Sequence, residues 1–158
     1  MARIQAIKAS EDYALRLNAL GEHTEDAVTA AIRAGSDILA DAVRKGFEGV
    51  LKRNSDGEME NSTGQMMEHM GITPVKMDRD GWWNAKIGFH GYDVRKTRKW
   101  SRGVPHQLKA RVLESGTKDG RIQGHEVIKK AVQSKRRAVQ KAMQKELDTY
   151  FEKYMGGI

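Results

Sequence analysis

The sequence predicts an α+β domain in which two long amphipathic helices cover a small antiparallel sheet, with a short helix before the C-terminal one. Three observations carry this expectation. Apolar residues recur at three- and four-residue steps over 24–53 and again over 125–154, and between them, at 83–89, the period drops to two. A chain of 158 residues with 39% hydrophobic content builds one ordinary core, so residues 1–158 are read as a single domain.

Ser10 to Leu20 begins as helices begin, with a Ser N-cap, acids in the first turn and Tyr13, Leu17 and Leu20 at helical spacing; Gly21 is expected to end it. Thr24 then reads as the next cap, ahead of Glu25 and Asp26. Val28, Ala31, Ile32, Gly35, Leu39, Val43, Phe47, Val50 and Leu51 line one face of a helix running to Arg53, on the order of 40 Å long. Gly35 lies on that face, where a missing side chain lets another helix approach closely. Residues 54–62 are polar and turn-rich and are expected to be a flexible loop. Thr63-Gly64 opens a short apolar segment of Met66, Met67 and Met70, which reads as adaptable packing.

Trp83, Ala85, Ile87 and Phe89 alternate with Asn84, Lys86 and Gly88, the pattern of a half-buried strand. Ile72 to Met77 is its expected partner, with Asp78-Arg79-Asp80-Gly81 as the turn and Pro74 confining that partner to an edge or making it irregular. Tyr92 to Gly103 is the most basic stretch, with Arg95, Lys96, Arg98, Lys99 and Arg102 around Trp100, and reads as a loop or an extended excursion. Pro105 to Thr117 reads as a short helix with Leu108, Ala110, Val112 and Leu113 inward and Gly116 as a left-handed stop. Residues 118–124 are expected to form a second flexible loop. The final helix starts near His125-Glu126, with Ile128, Ala131, Val132, Val139, Met143, Leu147, Tyr150, Phe151 and Tyr154 on its apolar stripe. Residues 1–9 and 155–158 are expected to fray.

Composition narrows the chemistry. Absence of cysteine excludes disulfides, thiolate metal sites and cysteine nucleophiles. No run approaches the roughly 20 apolar residues of a membrane span, and MARIQAIKASEDY lacks the apolar core of a secretory signal, so a soluble protein that contacts no membrane and stays where it is made is expected. The net charge of +7 divides unevenly. Residues 1–93 hold 11 Lys/Arg against 15 Asp/Glu, and residues 94–158 hold 17 against 6. Such polarity suits a nucleic-acid contact on the basic part, or copies stacked acidic surface against basic surface.

Motifs for catalysis are missing. His23, His69, His90, His106 and His125 are dispersed and form no HExxH pair, so each reads as structural or surface. Asp78 to Gly81 starts like a calcium loop but lacks the closing glutamate. There is no phosphate-binding glycine loop and no nucleophile elbow, and Glu114, a conceivable base, has no evident partner. The expectation is a protein that is not an enzyme and has no cofactor or metal. The cations around Trp100 suit phosphates with a base stacked on the indole, yet no helix-turn-helix, zinc finger or RNA-module motif accompanies them.

Four separated segments carry a resemblance. Thr63-Gly64-Gln65-Met66-Met67-Glu68-His69-Met70-Gly71-Ile72 resembles the TG-x-L-x-x-S-I segment of the minor tail, or tail-completion and head-tail joining, proteins of long-tailed lambdoid phages and prophages. Ala85-Lys86-Ile87-Gly88-Phe89 is similar to that family's V-x-V-G-F strand, and Ala110 to Thr117 resembles its A-x-x-x-E-x-GT corner. Gly124 to Ala131 occupies the place of its H-P-F-x-x-x-A helix start, with Glu126-Val127 in place of Pro-Phe. The ordered set spans about residues 24 to 152.

The resemblance implies a structural virion protein at the head-tail junction, present in the host cytoplasm during assembly. It would form a homo-oligomeric ring, expected to be a hexamer, between the tail tube or its terminator and the neck proteins on the portal side. Thr63, Gly64, Gly88, Phe89, Glu114, Gly116 and Thr117 are then the motif and assembly residues. Arg95, Lys96, Arg98, Lys99, Arg102, Arg136 and Arg137 are candidates to face DNA in the lumen. The alternative, from the residues alone, is a small basic protein that binds nucleic acid without reading sequence.

Overall fold

The computed structural model describes residues 14–54 and 65–156. Helix α1 covers residues 14–22 and is separated by one turn residue from α2 (Thr24–Asn54). There follow α3 (Gln65–Glu68), β1 (Met70–Ile72), β2 (Lys76–Met77), β3 (Trp83–Asn84), β4 (Ile87–Phe89), α4 (His106–Ser115) and α5 (Val127–Met155). The class is α+β, as the two periods in the sequence require.

The long helices run antiparallel. Val127 lies against Gly46, Val139 and Met143 against Gly35, and the Tyr154 ring stacks on His23 at 4.7 Å. A Cβ on Gly35 would sit 2.8 Å from Met143 Cγ, so this glycine is what lets the helices touch there. Helix α1 does not stop at Gly21. His23 N–H donates to Ala19 O and Ala27 N–H to His23 O, so helical bonding continues almost unbroken into α2. Thr24 therefore finds few free amides to cap, and its hydroxyl instead donates to Leu20 O at 3.0 Å.

The hairpin is longer and more irregular than the alternation suggested. β1 pairs with β4 (Met70 opposite Phe89, Ile72 opposite Ile87) and β2 with β3 (Lys76 opposite Asn84, Met77 opposite Trp83). The expected partner, Ile72 to Met77, is thus split around Pro74, which cannot donate to a ladder. Thr73 bridges the gap, its N–H donating to Lys86 O at 2.9 Å and its Oγ1 accepting from Lys86 N–H at 2.8 Å. At the tip the Asp78 carboxylate accepts the N–H groups of Asp80 and Trp82 and the Asn84 amide, which spends it on the turn.

The core gathers at one end of the helix pair. Val43, Phe47 and Val50 of α2 meet Met66, Met67 and Met70, Ala110 and Leu113 of α4, and Val127 and Ala131 of α5. Phe47 is fully buried and meets Phe89 edge-on at 5.3 Å. Of the two long helices α2 lies closer to the sheet, touching β1 and β3, while α4 packs on β4 and α5 lies mainly along α2. As a result the apolar stripe of α5 is incompletely covered, and Ile128, Val132, Leu147 and Phe151 stay exposed. Ile128, Val139 and Met143 also line an open, mostly apolar cleft of about 640 Å³ with Ile32, Leu39 and Phe89. Met155, expected to fray, is helical and buried, and Arg16 donates to its carbonyl. Residues 1–13, with the expected Ser10 cap and Tyr13, and residues 55–64 and 157–158 lie outside the described residues.

Candidate functional site

Helix α4 is entered and left through two hydrogen-bonded connections, and these hold most of the residues singled out in the sequence. The exit, residues 114–128, is a corner. Gly116 has φ 77° and ψ −178°, an extended mirror-image conformation open essentially to glycine alone and different from the left-handed stop expected. A Cβ there would lie 2.7 Å from Ile122 O and 2.8 Å from Gly124 N. A Cβ on Gly124 would lie 2.6 Å from the Ser115 carbonyl carbon. Two passes of the chain thus cross at backbone contact with glycine on both sides. Gly124 carried no signal of its own in the sequence.

Thr117 closes the loop beyond the crossing. Its N–H donates to Ile122 O at 2.9 Å, and its Oγ1 accepts from Ile122 N–H at 3.0 Å. Residues 118–124, expected to be flexible, are therefore tied at both ends. The chain then returns along α4, with His125 N–H donating to Leu113 O and Glu126 N–H to Glu114 O. Glu126, in the left-handed region, supplies no side-chain cap for α5. Glu114 does so from the neighbouring helix: Oε2 accepts Ile128 N–H at 2.7 Å and Oε1 accepts Lys129 N–H at 3.1 Å. A carboxylate at a helix N-terminus satisfies otherwise orphaned amides and meets the positive end of the dipole. Glu114 is thus partnered, and the base it resembled in the sequence is a capping group.

The entrance to α4 is a basic finger. Residues 91–93 run beside 104–106, with Tyr92 bridged to Pro105, Asp93 N–H donating to Val104 O and His106 N–H to Gly91 O. Thr97 and Trp100 exchange N–H···O bonds at the tip. The base is locked by Asp93, 4% exposed, whose carboxylate accepts Arg95 N–H and the Lys109 ammonium. Burial lowers the Lys109 pKa. Gly103, at φ 97°, leaves no room for a Cβ against Asp93 O. Arg95, Lys96, Arg98, Lys99 and Arg102 are all exposed and form no ion pair with a described residue, while Lys99 Nζ sits 5.9 Å from the Trp100 ring centroid. Asp93 was missed in the sequence, because its role depends on a lysine 16 residues away.

The other candidates fall as follows. Arg136 and Arg137 are exposed on α5, in a run of seven cations from Lys129 to Lys145 that contains no acid. Phe89 is half-buried on Phe47 and Gly88 lies opposite Gly71 in the ladder. Thr63 and Gly64 lie outside the described residues.

Three of the five histidines, dispersed in sequence, come together between the sheet and the finger. His90 N–H donates to His69 O at 3.0 Å, extending the β1–β4 ladder by one pair. The two rings stand at 89°, with His69 Nδ1 3.4 Å from His90 Nε2. His106, at 0% exposure, stacks on His69 with centroids 4.8 Å apart, and neither of its ring nitrogens has a hydrogen-bond partner. Burial lowers the His106 pKa, with His69 and then His90 acting in the same direction; the Tyr92 backbone opposes them from outside good hydrogen-bond geometry. Among the described residues, no group of three or more His, Asp or Glu side chains is disposed to hold a metal ion. Comparison with family models, curated proteins and solved structures finds no match for the chain.

Proposed function

We propose that the chain is a structural protein of a long-tailed phage particle, completing the tail and joining it to the head as a ring of copies around the DNA channel. The observation that carries this reading is that the separated segments resembling the tail-completion family meet as one unit. Met70, from the first, lies opposite Phe89, from the second. α4, from the third, packs on β4, and its Glu114 caps the helix that starts in the fourth. The incompletely covered apolar residues of α5 supply surface for contacts between copies, and a closed ring needs heterologous contacts of this kind. The test is complementation of a phage lacking this gene, with electron microscopy of the particles. The reading expects free heads and unjoined tails without the chain and infectious particles with it; normal particles in its absence would refute it.

One observation favours a second reading, a sequence-blind nucleic-acid binder: the finger presents five exposed cations and a tryptophan on an anchored base. A salt-dependent gel shift separates the two. Steep salt dependence on a stable monomer supports the binder. Assembly into a ring, on tails or alone, supports the first reading, in which the finger and Arg136 and Arg137 face DNA in the lumen.

A further inference from the structure

We propose that His69 and His90 form a two-histidine site for a tetrahedral divalent ion, Zn²⁺, at the base of the basic finger. The Nδ1···Nε2 separation is 3.4 Å. Two nitrogens bound at about 2.0–2.1 Å to one tetrahedral ion stand roughly 3.3–3.4 Å apart, whereas adjacent ligands of an octahedral ion at that bond length stand roughly 2.9 Å apart. At 3.4 Å the contact is a long hydrogen bond, and the rings meet edge to face at 89° rather than in a common plane.

The spacing is built in. His69 and His90 are cross-strand neighbours tied by a backbone hydrogen bond, so the chain holds the rings together with no ion present. His106, fully buried, stacks on the inner face of His69 and limits its rotation. The outer side is open, since His90 is exposed and His69 half-exposed. Each nitrogen binds the ion through its unprotonated lone pair, so uptake competes with protons. Imidazole suits zinc, and the two remaining positions of the tetrahedron are left to water or to donors from another copy. Two protein ligands make an open site, weaker than a closed four-ligand one. The inference does not depend on the assembly reading.

Calorimetric titration of Zn²⁺ into the untagged chain, at slightly alkaline pH, tests it. The expected result is one saturable ion per chain, weakened at least about tenfold in His90→Gln and in His69→Gln, and unchanged in His23→Gln and His125→Gln. His90 is exposed, so His90→Gln keeps the fold, which its circular dichroism checks. No saturable uptake, or uptake by His90→Gln equal to the parent's, overturns the site.

Discussion

The two connections of α4 are built alike and turned to opposite ends. Each closes on itself through backbone hydrogen bonds, packs a glycine against a carbonyl, and is locked by one carboxylate. At the exit, Glu114 reaches inward to the α5 amides and the loop folds onto its own backbone. At the entrance, Asp93 ties only the base, and the cations beyond it point to solvent. The lesson is that rigidity at the exit serves the fold, whereas at the entrance it fixes only the base of an exposed charged surface, which would lower the ordering cost of the binding proposed there.

The largest effect is expected at the exit. Gly116→Val places a β-branched residue at positive φ with its Cβ against Ile122 O, costing at least about 3 kcal/mol, or roughly 6–12 °C in Tm for a domain of this size. Gly120→Ala is the control. Gly120 shares the loop and a positive φ of 72° but has open space around it, so only the strain remains, about 1 kcal/mol. Equal losses in the two variants would show that the backbone crossing contributes nothing.

The carboxylates follow. Asp93→Ala strands a partly buried ammonium and should cost about 2–4 kcal/mol. Glu114→Ala removes a cap from an exposed helix start and should cost about 1–2 kcal/mol. Chemical denaturation orders them; a Glu114 loss larger than that of Asp93 would reverse the comparison.

The histidine cluster at the finger base gives a pH dependence. Because the folded-state pKa of His106 is lowered, the unfolded chain binds the proton first, so this contribution is complete above about pH 6.5 and is lost as pH falls from there towards the lowered value. For a single proton the slope has an upper bound of about 1.4 kcal/mol per pH unit. Melting curves from pH 8 to 5 should show it, and His106→Phe should flatten it; an unchanged slope would remove His106 as the cause.

Smallest in stability is the finger surface. Replacing Arg95, Lys96, Arg98 and Lys99 by Ser should leave stability within about 0.5 kcal/mol, while lowering the salt slope of any DNA binding by about 3–4. A large loss of stability would mean that these cations brace the fold.

How far the sequence revealed this depends on the range of each contact. Helices α2, α4 and α5 were legible because the apolar period is local, and Gly35 because it fell on the apolar face. Glu114, Gly116 and Thr117 were legible as a motif, but their roles were not: the cap joins residues 14 and 15 apart, and the crossing needs Gly124, one glycine among sixteen. Pro74 marked the partner strand as an edge or irregular, but the split into two ladders was not legible because it depends on Thr73 pairing with Lys86. Dispersal in sequence hid the histidines, which only strand register and the start of α4 bring together.

The central claim is that this chain acts by assembly, and the mass of the species it forms on tails tests that most directly. Chain added to tails that lack it should be recovered, after gentle release, as a closed ring of a fixed number of copies. Recovery only as a monomer that leaves the tails untouched and binds DNA with a steep salt dependence would contradict it.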